Sequence, residues 1–179
     1  TWDKPSTADP FAAFKTVKDA IRSKTGTELT VAIMNSYTFN LLSKTDAVKN
    51  RYLTTNGLSL GYLTDAEVKA VVESTSGLRI AIYDKQYRDE SKVAHAFVPN
   101  GYVCLIPDGA LGGTWYGTTP EEADLRGASS AEVSIVNTGV AITRILQEHP
   151  VNINTFASEI VLPSFERMDE VAVLNVLGG

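Results

Sequence analysis

Three apolar runs of strand length fill the last third of the chain, at residues 140–145, 156–162 and 171–177. Turn signals at His149-Pro150 and Pro163-Ser164 separate them. Strands joined by short connections pair antiparallel, so this part of the chain must build a sheet. The final run is apolar on both alternating faces: Val171, Val173 and Leu177 on one, Ala172, Leu174 and Val176 on the other. A strand with two apolar faces is expected to be buried on both, within the fold or in a contact between subunits.

The front of the chain reads differently. Residues 1–8 look like a leader or linker. Asp9 is an N-cap and Pro10 a first helical residue, where its missing N–H costs nothing. Phe11, Phe14, Val17, Ala20 and Ile21 follow at helical spacing, and Gly26 is the expected C-cap. Residues 29–34 read as a strand. Asn35 caps a second helix carrying Tyr37, Phe39, Leu41 and Leu42. Asn56-Gly57 is a turn signal for a hairpin returning through Tyr62-Leu63. Thr64-Asp65-Ala66-Glu67 is a capping box that opens a helix with Val68, Val71 and Val72 inward, ending at Gly77. A strand at 78–83, an exposed polar loop at 84–95 and a strand at 102–106 come next, the last ended by Pro107-Asp108-Gly109. Residues 109–139, rich in Gly, Thr and Ala, are expected to pack irregularly. Helices first and a run of strands last give an α+β fold rather than a regular parallel alternation.

Composition narrows the partners. At 179 residues and 44% hydrophobic, the chain can bury the core of one domain or of two small lobes sharing a sheet. A net charge of −5 without a basic stripe argues against a dedicated nucleic-acid binder. No apolar stretch approaches the roughly 20 residues of a membrane span, and the opening residues do not read as a signal peptide. The opening Thr1-Trp2-Asp3, without Met, reads as part of a longer protein.

Residues that could carry chemistry are scattered. Cys104, the one cysteine, sits in an apolar run with no His nearby and reads as a buried structural thiol. His95 and His149 stand far apart with no ligand-spaced partner, which disfavours zinc. Ser129-Ser130 and Ser164 lack the flanking glycines of a nucleophile elbow. The glycine-rich stretch 109–114 is not followed by Lys or by a helix N-terminus, so it makes a poor phosphate cradle. The acidic groups Asp89-Glu90, Glu121-Glu122 with Asp124, and Asp169-Glu170 lie in polar segments. Thr119-Pro120-Glu121-Glu122 reads as a short helix start, with its acids on the positive end of the dipole. The expected catalytic, cofactor and metal residues are therefore none.

Several ordered segments nevertheless carry a resemblance. Trp2 with Ala8-Asp9-Pro10-Phe11, then residues 29–36, resembles the helix entry and following strand of tailed-bacteriophage major capsid proteins of the lambda-like group. Residues 98–107 followed by Gly112-Gly113-Thr114-Trp115-Tyr116-Gly117 are similar to a middle stretch of those proteins. His149-Pro150, residues 162–166 and residues 169–176 resemble their closing segment. The resemblance implies a Hong Kong 97-type capsid fold. Residues 1–50 and 138–179 would form the peripheral domain, with a spine helix at about 9–24 and a β-sheet. Residues 51–137 would form the axial domain, a central sheet flanked by helices. The arm and hairpin loop that precede the spine helix in that group are absent from this sequence.

The function implied is a structural subunit of a phage or prophage-encoded icosahedral capsid, self-assembling to enclose DNA. Its partners would be copies of itself in hexamers and pentamers, with scaffold, portal or decoration proteins. Packaged DNA would be only a non-specific neighbour, and no membrane or cofactor is implied. It would be made in the bacterial cytoplasm and reside in the virion. An encapsulin-like compartment shell is the alternative on the same fold. A small hydrolase or nucleotide-binding enzyme using the 109–114 loop, or a binding module without a shell role, are the readings from other classes.

Overall fold

The computed structural model describes residues 1–56, 63–124, 131–137, 139–147 and 149–177. The elements run α1 (Pro10–Thr25), β1 (Leu29–Met34), α2 (Ser36–Lys44), α3 (Asp46–Asn56), α4 (Asp65–Ser76), β2 (Arg79–Ile82), β3 (Gln86–Arg88), β4 (Ala94–Ala96) and β5 (Tyr102–Pro107). They continue through β6 (Gly112–Tyr116), α5 (Pro120–Asp124), β7 (Ala131–Asn137), β8 (Val140–Gln147), β9 (Asn152–Glu159), β10 (Val161–Phe165), a turn of 3-10 helix (Met168–Glu170) and β11 (Ala172–Asn175). The mixture is α+β, as the order of patterns predicts. The chain folds into two compact units: Thr1–Gly109 with Met168–Gly179, and Ala110–Arg167.

The first unit is a four-stranded sheet in the order β11-β5-β1-β2. Strand β1 runs parallel to β2 and antiparallel to β5, and β5 is antiparallel to β11. Ala32, Met34, Ile80, Val103 and Leu105 lie on one face and form the core with Phe14, Phe39, Leu42, Val48, Val68 and Val72 from the helices. Local chemistry sets the helix ends. Asp9 accepts from the Ala12 N–H at 3.0 Å, and Gly26 closes α1 in the left-handed region. Thr64 and Glu67 make the reciprocal capping box of α4, and the Tyr52 hydroxyl donates to the same Glu67 at 2.6 Å. The Lys18 ammonium caps the end of α4 on the Ser76 carbonyl at 2.7 Å, and pairs with Glu28 at 3.3 Å.

The opening residues are not a linker. Trp2 is 3% exposed, and its ring meets Phe14 edge-on at 5.6 Å. The Trp2 N–H donates to the Val176 carbonyl at 2.8 Å, and the Val176 N–H in turn donates to Gly101. Burial of a large aromatic fixes a segment that its polar neighbours make look mobile.

The second unit contains the antiparallel sheet β7-β8-β9 and the antiparallel pair β6–β10. Ala141 and Thr143 of β8 are buried, as is Thr119 before α5. Gly112 faces Phe165 across the pair. A Cβ at Gly112 would lie 1.9 Å from the Ser164 carbonyl, so only glycine allows this approach.

Several expectations are corrected. Residues 109–139 are not irregular: they supply β6, α5 and β7. The polar stretch 84–95 contains most of a small hairpin, β3–β4. The run 156–162 is divided between β9 and β10, and Pro163-Ser164 sits inside β10 rather than at a turn. Asn56 ends α3, and the expected turn and return through Gly57 and Tyr62 lie outside the described residues. The two compact units divide at 109/110 and 167/168, and within the first β1 pairs with both β2 and β5.

Candidate interaction surfaces

The side chains weighed for chemistry do not converge. The His95 imidazole pairs with the Asp89 carboxylate at 3.0 Å in the exposed β3–β4 hairpin. That contact, followed by the Val93 N–H, holds Asp89 below the usual carboxylate range. His149 is exposed, and its carbonyl accepts from Gln147. Cys104 is half-buried rather than fully buried, and burial pushes its thiol up, the opposite of nucleophile activation. Gly112, Gly113 and Thr114 are strand residues of β6 paired with β10, not a cradle at a helix start. The Ser164 hydroxyl donates to Glu166 at 3.3 Å, and Ser129-Ser130 lie outside the described residues. Asp89-Glu90 stand in the β3–β4 turn, Glu121-Glu122 and Asp124 in α5, and Asp169 pairs with Lys24 at 3.2 Å. Among the described residues no three His, Cys, Asp or Glu side chains group as metal ligands. No described helix is long and apolar enough to cross a membrane.

What the structure does bring together is exposed apolar surface. In the first unit, Ile33, Cys104 and Val173 stand in register on the sheet face opposite the helix-covered core. Val173 is 61% exposed, whereas Ala172 and Leu174 on the other face pack against the core. The doubly apolar final strand is therefore buried on one face only.

Beside this sheet the end of β1 is clamped to its neighbours. Asn35 caps α2, accepting from the Thr38 N–H and hydroxyl, and its amide donates to Val98 and Asn100. The Gly101 N–H donates to the Thr38 hydroxyl at 2.9 Å. Asp84 takes both the Ser36 N–H and the Ser36 hydroxyl. Beyond the clamp, Tyr83, Tyr87, His95 and Phe97 form a ladder of ring contacts at 5.1–6.1 Å. Their alternation at 95 and 97 was a strand signal hidden inside a polar segment.

The second unit exposes more. Trp115 and Leu162 stand directly opposite each other on β6 and β10, 65% and 66% exposed. Leu146 and Ile153 are likewise paired on β8 and β9, with Phe156, Val161 and Phe165 also open. These side chains lie on both faces of their strands, and exposed large apolar groups of this kind are found where a surface meets other protein.

Comparison with known proteins gives this surface its context. The chain shares its fold with a protein described as a candidate capsid protein of a prophage of Escherichia coli CFT073, with a TM-score of 0.66 and 14% identity. The match covers 98% of this chain and 50% of that one. A phage-related protein of Bordetella bronchiseptica RB50 matches with a TM-score of 0.54 and 14% identity, over 97% and 51% of the two chains. The chain thus spans about half the length of these solved structures. Among curated proteins no sequence matches it. The model of the family described as phage major capsid protein E matches residues 1–176. This chain belongs to the phage major capsid protein E family.

Proposed function

We propose that this chain is the structural subunit of an icosahedral phage or prophage head, self-assembling to enclose DNA, with a Hong Kong 97-type fold of the lambda-like group. The observation that carries the reading is the exposed apolar surface of the second unit in a chain of a capsid family. Exposed apolar surface marks a contact, and in this reading another copy of the chain makes it. In this reading residues 1–50 and 138–179, with the spine helix at about 9–24, form the peripheral domain and residues 51–137 the axial domain. Hexamers and pentamers are the expected assemblies, and scaffold, portal or decoration proteins would meet their outer or inner surfaces. The net charge of −5 suits a container wall that does not grip its DNA.

Electron microscopy and sedimentation of the intact protein test the reading. Rings of five and six subunits and closed shells are expected. Only monodisperse monomer under every assembly condition would overturn it.

A further inference from the structure

We propose that the outer edge of β9 is a contact between subunits, taking the same edge of a second copy antiparallel about a two-fold axis at Phe156. The proposal rests on the reading of the chain as a self-assembling subunit and names one of its contacts.

Backbone register decides which groups are free. The Ile160 N–H donates to the Gly139 carbonyl at 3.3 Å, and the β8–β9 ladder runs from Val140↔Glu159 to Gln147↔Asn152. Hydrogen-bonded pairs alternate along an antiparallel ladder. The even-numbered residues of β9 therefore bond to β8, while Ile153, Thr155, Ala157 and Glu159 point their N–H and C=O groups outward. Among the described residues no backbone group meets them.

The same parity continues past Ile160, whose carbonyl accepts from Gly117, into the β6–β10 ladder. There the outward positions are Val161, Pro163 and Phe165. Pro163 lacks an N–H, a common guard of an open edge. Strand β9, Asn152–Glu159, has no such guard: it contains no Lys, Arg or Pro, and its one charge is Glu159 at the end. One continuous edge is thus blocked along β10 and left able to pair along β9.

The chemistry of β9 favours a copy of itself as occupant. A two-fold axis at Phe156 sets Thr155 against the second copy's Ala157, and Ile153 against its Glu159, with all outward backbone groups satisfied. Phe156, 53% exposed, meets its own copy at a non-hydrogen-bonded site, where opposed side chains approach most closely. Antiparallel pairing keeps the two Glu159 carboxylates roughly 20 Å apart, six positions at about 3.4 Å each. Parallel self-pairing would stack them. The product is a six-stranded sheet spanning two subunits.

The test uses the intact, assembled protein with Cys104→Ala. Phe156→Cys, and separately the double variant Asn154→Cys with Ser158→Cys, are treated with copper phenanthroline and run on non-reducing gels. Disulfide-linked dimers at least tenfold above a Leu146→Cys control are expected from both. Ala157→Pro removes one outward N–H without touching the β8 ladder. It should leave the far-UV circular dichroism unchanged and cut dimer formation at least tenfold in the Asn154→Cys/Ser158→Cys background. Shells that form while the β9 cysteines cross-link no better than the control overturn this contact and leave the capsid reading standing, as does an Ala157→Pro protein that cross-links as the parent does. Failure of the parent to form rings or shells counts against the capsid reading instead, and β9 dimers trapped in solution would still support the edge.

Discussion

Replacing Trp2 by Ala tests whether the opening residues belong to the core. The indole is 3% exposed, packs against Phe14 and sits beside the backbone bond to Val176. A buried indole removes about 200 Å² from water, worth roughly 5 kcal/mol at about 25 cal/mol/Å². Partial collapse of the site lowers the observed cost to about 4 kcal/mol, within the usual range for large aromatic deletions. The backbone hydrogen bond survives the substitution, so the loss is one of packing. Urea unfolding followed by far-UV circular dichroism gives the difference. Because the chain has two tryptophans and Trp115 is 65% exposed, a Trp115→Phe background makes Trp2 the sole reporter. In that background the native emission should be that of an indole shielded from water, moving to the solvent-exposed wavelength in the unfolding transition. A cost below about 1 kcal/mol, or native emission typical of a wet indole, would refute the packing argument and restore the linker reading of residues 1–8.

Other expectations follow from single features. Asn35→Ala removes a helix cap, the acceptor of the buried Thr38 hydroxyl and the side-chain donor to the Val98 carbonyl, at a cost of about 3 kcal/mol by denaturation. Gly101→Ala and Gly26→Ala both force Ala into the left-handed region, at about 1 kcal/mol. Only at Gly101 would the new Cβ meet a side chain, 2.4 Å from Leu177, so its melting temperature should fall further than that of Gly26→Ala. Thr143→Val replaces a buried hydroxyl that has no partner among the described residues with a methyl group and should raise stability by about 1 kcal/mol. Glu67 is held below the usual carboxylate range, first by the Tyr52 hydroxyl and then by Thr64. Asp84 is held down by the Ser36 hydroxyl and N–H. A depressed folded value contributes stability above the unfolded value and loses it as pH falls through the folded one. Stability should therefore drop on acidification below about pH 4, and Glu67→Gln with Asp84→Asn should flatten that drop.

The legible parts of the fold were those governed by local chemistry. Asp9-Pro10, Asn35, the Thr64–Glu67 box and the glycines at 26 and 77 set helix ends through groups within a few residues, so sequence alone located them. The central strands were legible because β1 and β5 carry unbroken apolar runs. What escaped was decided at long range. Trp2 looked free because its partners, Phe14 and Val176, are distant in sequence. Strand β6 looked irregular because glycines weaken strand propensity, yet Gly112 is there for the close approach of Ser164. Pro163 read as a turn because a proline breaks a central strand, whereas β10 turns that position outward to an edge. The surfaces were half legible: the final strand's second apolar face carries Val173, which stands open, but the ring ladder and the β9 edge required the pairing partners to be known.

The division of the first unit around residues 110–167 has a consequence during synthesis. Strand β5 has β1 on one side from the start, but its other side stays open until β11 is made. Translation at roughly 5–20 residues per second leaves that side bare for about 3–12 s while the second unit emerges. During that interval Val103 and Leu105 lack the cover of Ala172 and Leu174, and the Val176 bridge to Trp2 does not yet exist. A nascent chain is then exposed to capture by a chaperone or by another nascent strand. Residues 172–176 therefore set when the sheet of the first unit is complete.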